Sequence, residues 1–126
     1  TISLIVMVIS LIFVGIVLFT SMRPTTYTVE QQSITISGSY GETIAFEDFV
    51  QLELLEKMPD IGVRTNGSSL GSKLKGNFKL KNGEKVKLFI DKAKPPFIRL
   101  ETKDQIFYFN ETDAQKTKDL FEQLNQ

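Results

Sequence analysis

Six lysines recur at odd-numbered positions in the middle of this chain. They are Lys73, Lys75, Lys79, Lys81, Lys85 and Lys87. Because successive side chains of a β-strand point to opposite faces, lysines of one parity share a face. Each ammonium group near a membrane surface is attracted to anionic lipid by about 1 kcal/mol. The six lysines are therefore candidate anion-binding or lipid-binding residues, and the alternative interpretation is the solvated face of a strand pair.

A second candidate site is a tetrapeptide beside a run of glycines. It consists of Arg64, Thr65, Asn66 and Gly67. Residues 60–72 are rich in glycine and small polar side chains, a composition that predicts a loop. We therefore predict an exposed interaction loop here. The neighbouring stretch is not a phosphate-binding P-loop, because Ser72 separates Gly71 from Lys73 and a strand, not a helix, is predicted to follow.

Catalytic chemistry has few residues available to it. The chain contains no histidine and no cysteine, which removes the commonest general base, the thiolate nucleophile and the commonest transition-metal ligand. Glu47 and Asp48 are adjacent at a predicted strand start, so their carboxylates point to opposite faces. Ser72 and Lys73 diverge for the same reason. We therefore predict a non-catalytic protein with no cofactor and no metal site.

The charge balance bears on the class of partner. The chain has 15 basic and 15 acidic residues, so its net charge is zero. Domains that bind nucleic acid are usually basic. We therefore predict that nucleic acid is not a partner.

The N-terminal stretch is apolar and uncharged from Ile2 to Phe19, and the first charged residue is Arg23. A helix from Thr1 to Met22 would be about 33 Å long, enough to cross the bilayer core. The run is longer than the core of a signal peptide. We predict a transmembrane helix at 1–22, a linker at 23–26 and a domain at 27–126, in a single-pass protein of the cell membrane. Arg23 on the C-terminal flank favours a cytoplasmic domain.

The lysines lie on a predicted hairpin whose strands are residues 73–81 and 85–90. A two-residue loop would mix the two faces, so parity favours a three-residue loop at 81–83 with Gly83 in the left-handed region. That register pairs Phe78 with Val86 and Lys79 with Lys85. Like charges directly opposite each other are destabilising, and an anionic partner would relieve the repulsion.

The remaining pattern predicts mainly β structure. Short runs that contain apolar residues and are bounded by turn residues predict strands. These runs are residues 27–30, 33–37, 42–46, 49–55, 97–102 and 105–109. A C-terminal helix is predicted at 112–125, with Thr112 and Gln115 as a capping box and Leu120, Phe121 and Leu124 as its apolar stripe. An antiparallel sheet with one terminal helix predicts a barrel or sandwich.

Several segments between Tyr27 and Leu124 carry a likeness to one family. They are Ile36–Gly41, Arg64–Gly67, Gly71 with Leu74, Gly76–Phe78, Leu88–Ile90, Pro95–Ile98 and Lys116–Thr117. In these segments the chain resembles a family of bacterial pleckstrin-homology-like domains found behind transmembrane segments. The resemblance implies a strongly bent antiparallel barrel of seven strands with one helix. It implies no catalytic residues and no established ligand.

Two functional hypotheses follow. The first is a membrane-tethered binding module whose lysine face docks on anionic lipid headgroups. The second is a protein-interaction or assembly module that binds a peptide or partner chain at a strand edge or at the predicted loop. Salt separates the two, because lipid docking weakens with ionic strength whereas main-chain pairing does not.

Overall fold

The computed structural model describes residues 3–12, 25–38 and 40–125. Residues 3–12 form a helix, α1. Within the described residues, no helix is long and apolar enough to cross a membrane. The rest of the predicted span (1–2 and 13–22) and the first half of the predicted linker (23–24) lie outside the described residues.

From Tyr27 onwards the described chain is mainly β with one C-terminal helix, which confirms that part of the predicted fold class. The strands are β1 Tyr27–Val29, β2 Ser33–Ile36, β3 Thr43–Ala45, β4 Phe49–Leu55, β5 Ile61–Leu70, β6 Lys73–Leu80, β7 Lys85–Asp91, β8 Phe97–Thr102 and β9 Ile106–Phe109. A short 3-10 helix, Phe46–Asp48, precedes β4, and the C-terminal helix α2 is Ala114–Leu124.

The strands form two sheets, and both are open in the part of the chain that the structure describes. The three-stranded sheet has the order β1-β2-β3, and the six-stranded sheet has the order β4-β8-β9-β7-β6-β5. The described strands therefore do not close into the predicted barrel.

One strand pair also departs from the predicted antiparallel arrangement, because β7 and β9 are parallel. Strand β9 lies between β7 and β8, and it is antiparallel to β8. Its sequence explains the position: Phe107 and Phe109 are buried in one core and Tyr108 in the other. A strand that is apolar on both faces is stable in the middle of a sheet.

The predicted loop at 60–72 is wrong, because most of it is strand β5. This ten-residue strand pairs antiparallel with β6 and has register shifts near Ile61 and Arg64. Its glycines permit close backbone contact. Gly76 on β6 has a φ of +118°, and a Cβ there would lie 2.5 Å from the Asn66 carbonyl oxygen of β5. The glycines that suggested a loop are thus compatible with a tightly packed strand pair.

The β6–β7 hairpin has the predicted register. Phe78 pairs with Val86, and Lys79 pairs with Lys85. The Gly83 amide donates a 2.9 Å hydrogen bond to the Leu80 carbonyl, and Gly83 has a φ of +93°. The three-residue loop is therefore confirmed.

Two apolar cores lie on opposite faces of the six-stranded sheet. The first is shared by both sheets and α2, and its buried members are Ile34, Ile36, Ile44, Phe89, Ile98, Leu100, Phe107, Phe109, Leu120 and Leu124. The second comes from the six-stranded sheet itself and contains Leu74, Phe78, Leu80, Val86, Leu88, Ile90, Phe97 and Tyr108. Phe89 has the same parity as Lys85 and Lys87 and belongs to the first core. The lysines of β6 and β7 therefore lie on the face of the six-stranded sheet that packs against the three-stranded sheet.

Helix α2 begins after a different cap from the one predicted. The Asp113 carboxylate accepts a 2.9 Å hydrogen bond from the Lys116 amide, so Asp113 is the N-cap and Thr112 is not. An ionised aspartate is a strong N-cap and also favours the positive end of the helix dipole. Leu120 and Leu124 of the predicted apolar stripe are buried, and Phe121 packs against the same core.

Candidate functional site

The structure places five of the six lysines on one face of the hairpin strands. Lys79 pairs with Lys85, and Lys87 pairs with Asn77 on the same face. Lys81 lies in the turn just beyond β6. Four of the six side chains are exposed, namely Lys73, Lys79, Lys81 and Lys85, whereas Lys75 and Lys87 are half-buried. The predicted shared face is therefore present.

The lysines nevertheless form two separate groups along the hairpin. Lys73 and Lys75 lie at the start of β6, which we term the near end, and Lys79, Lys81 and Lys85 surround the turn, the far end. Between Lys75 and Lys79 the strand advances by about 13 Å. That separation exceeds the Debye length of about 8 Å at physiological salt. The two groups therefore act as distinct patches.

Lys87 lies between the two groups and already has a partner. Its Nζ is 3.2 Å from a carboxylate oxygen of Glu42, which precedes β3 in the three-stranded sheet. Among the described residues it is the one lysine of the six with a carboxylate within 4.0 Å. Lys87 therefore ties the hairpin to the small sheet and contributes less than the others to binding an external anion.

A cavity of about 450 Å³ opens at the near end, and we term it the lysine cavity. Its apolar lining comes from Leu70, Leu74, Phe89 and Ile90, and its basic residues are Lys73, Lys75 and Lys94. Thr25, Ser68, Asp91, Asn110, Glu111 and Thr112 complete it. The cavity thus combines an apolar surface with three ammonium groups.

Burial and hydrogen bonding adjust the charges around this cavity. Burial lowers the pKa of the Lys75 ammonium, whose Nζ lies 3.5 Å from where a Cβ on Gly38 would be. The Ser72 hydroxyl donates a 2.6 Å hydrogen bond to Asp91 and is the main cause of the lowered pKa of that carboxyl. Burial raises the pKa of Glu111. At neutral pH the Asp91 carboxylate is therefore charged, and it accepts hydrogen bonds from Ser72 in the β5–β6 turn and from the Ala93 amide.

Asn110 holds the segment that contributes Lys94 to the cavity. Its side-chain amide donates to the carbonyls of Asp91 (3.0 Å) and Lys94 (2.9 Å), and its side-chain oxygen accepts from the Asp91 amide at 2.9 Å. The Tyr27 hydroxyl donates to the Asn110 carbonyl at 3.2 Å, which ties the three-stranded sheet to the same wall. Sequence patterns gave no sign of Lys94, because only this tertiary anchoring brings it near Lys73.

The predicted interaction loop is part of the strand next to β6. Arg64, Thr65, Asn66 and Gly67 belong to β5, which is an edge strand of the six-stranded sheet. The Thr65 hydroxyl donates to the Asn77 carbonyl at 3.0 Å, and the Tyr40 hydroxyl donates to the Asn66 side-chain oxygen at 3.4 Å. Of this tetrapeptide, none lines the lysine cavity. The tetrapeptide nevertheless lies beside the lysine strand, because β5 pairs with β6 and places Arg64 opposite Phe78 and Gly67 opposite Gly76.

A further charged cluster lies around Arg99. Its guanidinium donates to the Tyr108 hydroxyl at 3.2 Å and to Glu101 at 3.1 Å, and Glu84 lies 4.0 Å away. These groups satisfy one another, so the cluster links β8, β9 and the β6–β7 turn. Over the described residues there is no group of three or more acidic side chains placed to hold a metal ion.

No protein family model, curated protein or solved structure matches this chain.

Proposed function

We propose that this chain is a membrane-tethered, non-catalytic binding module that docks on anionic lipid headgroups through the lysines of the β6–β7 hairpin. The observation that carries the proposal is the availability of their charge. Lys73, Lys79, Lys81 and Lys85 are exposed, and within the described residues no carboxylate lies within 4.0 Å of any of them. At about 1 kcal/mol each, four such lysines contribute about 4 kcal/mol of gross attraction to an anionic surface at low salt.

The chemistry of α1 supports the tether. All of residues 3–12 are exposed, and eight of them are large apolar residues, such as Leu4 at 56% and Leu11 at 65% exposure. A helix that is apolar all round is typical of a lipid environment. The Ser10 hydroxyl donates a 2.9 Å hydrogen bond to the Val6 carbonyl, so its polar group is satisfied inside the helix, as lipid requires.

The proposed span would hold the domain close to the bilayer. If the span ends at Met22, Thr25 lies within about 10 Å of the interface, because three extended residues cover no more than that. A short tether of this kind raises the effective lipid concentration to the millimolar range. Arg23 favours a cytoplasmic domain. The pleckstrin-homology-like family is part of the proposal, and the parallel β7–β9 pair and the open sheets are departures from its expected pattern.

The test uses the full chain reconstituted in lipid nanodiscs. A gadolinium-chelating lipid in the bilayer relaxes nearby amide protons, which reports how close each hairpin amide lies to the headgroups. We expect stronger relaxation at Lys73–Lys87 in phosphatidylglycerol bilayers than in phosphatidylcholine bilayers, and loss of the difference at high salt. The double variant Lys73→Gln with Lys79→Gln should reduce the effect.

Lys118→Gln is the matched control, because Lys118 is exposed on α2, away from the hairpin. It removes the same charge but should leave the relaxation pattern unchanged. Equal relaxation in neutral and anionic bilayers would refute lipid docking. Lys87→Gln is unsuitable as a first variant because it also breaks the ion pair with Glu42.

A second candidate function is strand addition at β5. The observation that favours it is that Arg64–Gly67 lie on an edge strand instead of a loop. Val63 on the same strand is 60% exposed. Because the chain has no native cysteine, Val63→Cys should form disulfide-linked dimers in proteoliposomes if β5 of two copies pair. A chain that stays monomeric under oxidation would argue against pairing between copies.

A further inference from the structure

The lysine cavity is the one place among the described residues where the near-end lysines, an apolar lining and the start of the described domain meet. Thr25, Lys73 and Lys94 all contribute to its wall. In the proposed membrane arrangement, Thr25 lies within about 10 Å of the interface. The far-end lysine Lys81 is about 26 Å further along the strand from Lys73. If the hairpin strands stand perpendicular to the membrane, the cavity therefore lies at the headgroups and the far end of the hairpin does not.

The dimensions of the cavity suit part of one lipid molecule. Its volume of about 450 Å³ falls within the usual range of small-molecule sites, about 300–1,000 Å³. Phe89 is a buried core residue on the lysine face that also lines the cavity, whereas the side chains of Leu74 and Ile90 belong to the core on the other face of the sheet. Leu70, at the end of β5, is 52% exposed on the rim of the cavity. An apolar chain would cover this surface, which a free phosphate ion would not.

The charges of the cavity select an anionic headgroup. Lys73 and Lys94 are exposed, and burial lowers the pKa of Lys75, so a neighbouring anion would stabilise its charged form. Asp91 accepts from the Ser72 hydroxyl and the Ala93 amide. Both hydrogen bonds go to Oδ1, so Asp91 keeps its negative charge at the cavity wall, where Lys73 and Lys94 help to lower its pKa. The three basic residues still outnumber the two acidic residues of the lining, Asp91 and Glu111.

Glu111 is the other acid in the lining. Burial raises its pKa, which means that the surroundings disfavour its ionised form. A phosphate bound beside the lysines would further disfavour that charge. Glu111 therefore opposes anion binding, and replacing it should increase the affinity of the cavity for an anion.

We infer that the lysine cavity binds one anionic phospholipid, with the phosphate facing Lys73, Lys75 and Lys94 and the upper part of an acyl chain on Leu70 and Phe89. The inference rests on the proposed membrane function and specifies its site. It divides the hairpin lysines into a near-end group that binds one lipid in the cavity and a far-end group that adds only the longer-range attraction to the anionic surface.

The experiment titrates the full chain, held in phosphatidylcholine nanodiscs, with lysophosphatidylglycerol. Chemical shifts of the Leu70 methyl groups report binding, and NOEs from acyl methylenes to the Phe89 ring report the position of the chain. We expect saturable shifts and these NOEs. Lysophosphatidylcholine has the same chain without net charge, and glycerol 3-phosphate has the charge without a chain; neither should saturate the site.

Two double variants separate the ends of the hairpin. Lys73→Gln with Lys94→Gln should raise the apparent Kd about thirtyfold, since each lysine near an anionic group is worth about fivefold. Lys81→Gln with Lys85→Gln removes the same charge at the far end and should change the Kd less than about twofold. All four side chains are exposed, so these changes should leave the core intact. Glu111→Gln should tighten binding.

The possible contrary results are distinct from one another. If the far-end pair weakens binding and the near-end pair does not, the cavity assignment is wrong while lipid docking by the hairpin stands. If glycerol 3-phosphate saturates the site as well as the lipid does, the ligand is a free phosphate and the lipid assignment is wrong. If no anionic lipid produces shifts in any variant, the cavity assignment is wrong; if the relaxation of the hairpin amides is also equal in neutral and anionic bilayers, the proposed function is wrong as well.

Discussion

Replacing Gly76 with alanine tests the close backbone contact between β5 and β6. Gly76 has a φ of +118°, which side chains other than glycine rarely adopt. A Cβ there would lie 2.5 Å from the Asn66 carbonyl oxygen and 2.6 Å from the Gly67 Cα. Both neighbours are backbone atoms, so the edge strand β5 would have to move away from β6.

The expected loss of stability is the sum of two effects. The strained backbone angle costs about 1–3 kcal/mol. Displacing β5 weakens two or so ladder hydrogen bonds, each worth about 1 kcal/mol net. We therefore expect Gly76→Ala to lower the free energy of unfolding by about 3–5 kcal/mol, a large part of the usual total for a domain of this size.

Gly71→Ala is the matched control. Gly71 has a φ of +59°, but among the described residues no atom lies within 4 Å of the position that a Cβ would take. Alanine there therefore has the backbone cost without the collision, and that cost is about 1–2 kcal/mol. The difference between the two variants therefore reports the contact with β5 together with the greater backbone strain at the Gly76 φ of +118°.

The assay is urea unfolding of the full chain in neutral detergent micelles, followed by tyrosine emission. Tyr108 is buried in the second core and Tyr27 packs on the first, so the emission reports both. Amide hydrogen exchange should show the loss of protection in Gly76→Ala concentrated in β5. Equal destabilisation by the two variants would refute the steric argument, and so would exchange that increases uniformly across the sheet.

Three further predictions concern the cavity wall and α2. Ser72→Ala removes the donor to Asp91, so the pKa of that carboxyl should rise toward its ordinary value in a carboxyl NMR titration. The lowered pKa stabilises the fold above about pH 4, and this stabilisation is lost as the pH falls through the folded pKa. We expect Ser72→Ala to reduce that stabilisation. Asn110→Ala removes three hydrogen bonds and should cost about 2–4 kcal/mol in urea unfolding. Asp113→Ala removes the N-cap and should cost about 0.5–2 kcal/mol, whereas Thr112→Ala should cost less than about 0.5 kcal/mol.

Each of these predictions has a clear contrary result. An Asp91 titration that is unchanged in Ser72→Ala would mean that the hydroxyl does not stabilise the carboxylate. A fully stable Asn110→Ala protein would mean that the turn holding Lys94 does not depend on the amide. A larger loss for Thr112→Ala than for Asp113→Ala would support the capping box expected from the sequence.

The sequence predicts features that depend on near neighbours. The β6–β7 register follows from the alternation of apolar and polar residues and from Gly83, both local signals. The lysine face follows from the same alternation. The bounds of β4 and β8 are also predicted correctly, because turn residues enclose their apolar runs.

Features that depend on distant contacts are missed. Strand β5 looks like a loop because Gly67 lacks a side chain, and the reason for that lies on another strand, at Gly76. The alternation of apolar and polar residues does not predict that β9 lies beside β7, because this pattern identifies a strand without specifying which strand pairs with it. Lys94 joins the cavity only through Asn110. Asp113 replaces Thr112 as the cap because both residue types are good N-caps, and pattern alone does not choose between adjacent ones.

The position of β8 and β9 in the sheet has a consequence for the order in which the chain folds during synthesis. Strand β4 ends at Leu55, but its neighbour β8 begins only at Phe97. At about 5–20 residues per second, the ribosome needs some seconds to make the intervening stretch of about forty residues. Until then β4 has no partner in its sheet, and β7 has a vacant side. The β8–β9 hairpin then fills the gap between them and joins two halves that were made separately. A nascent chain stalled before Phe97 would present two unpaired strand edges at once, which is where we expect chaperone contact and misassembly to concentrate.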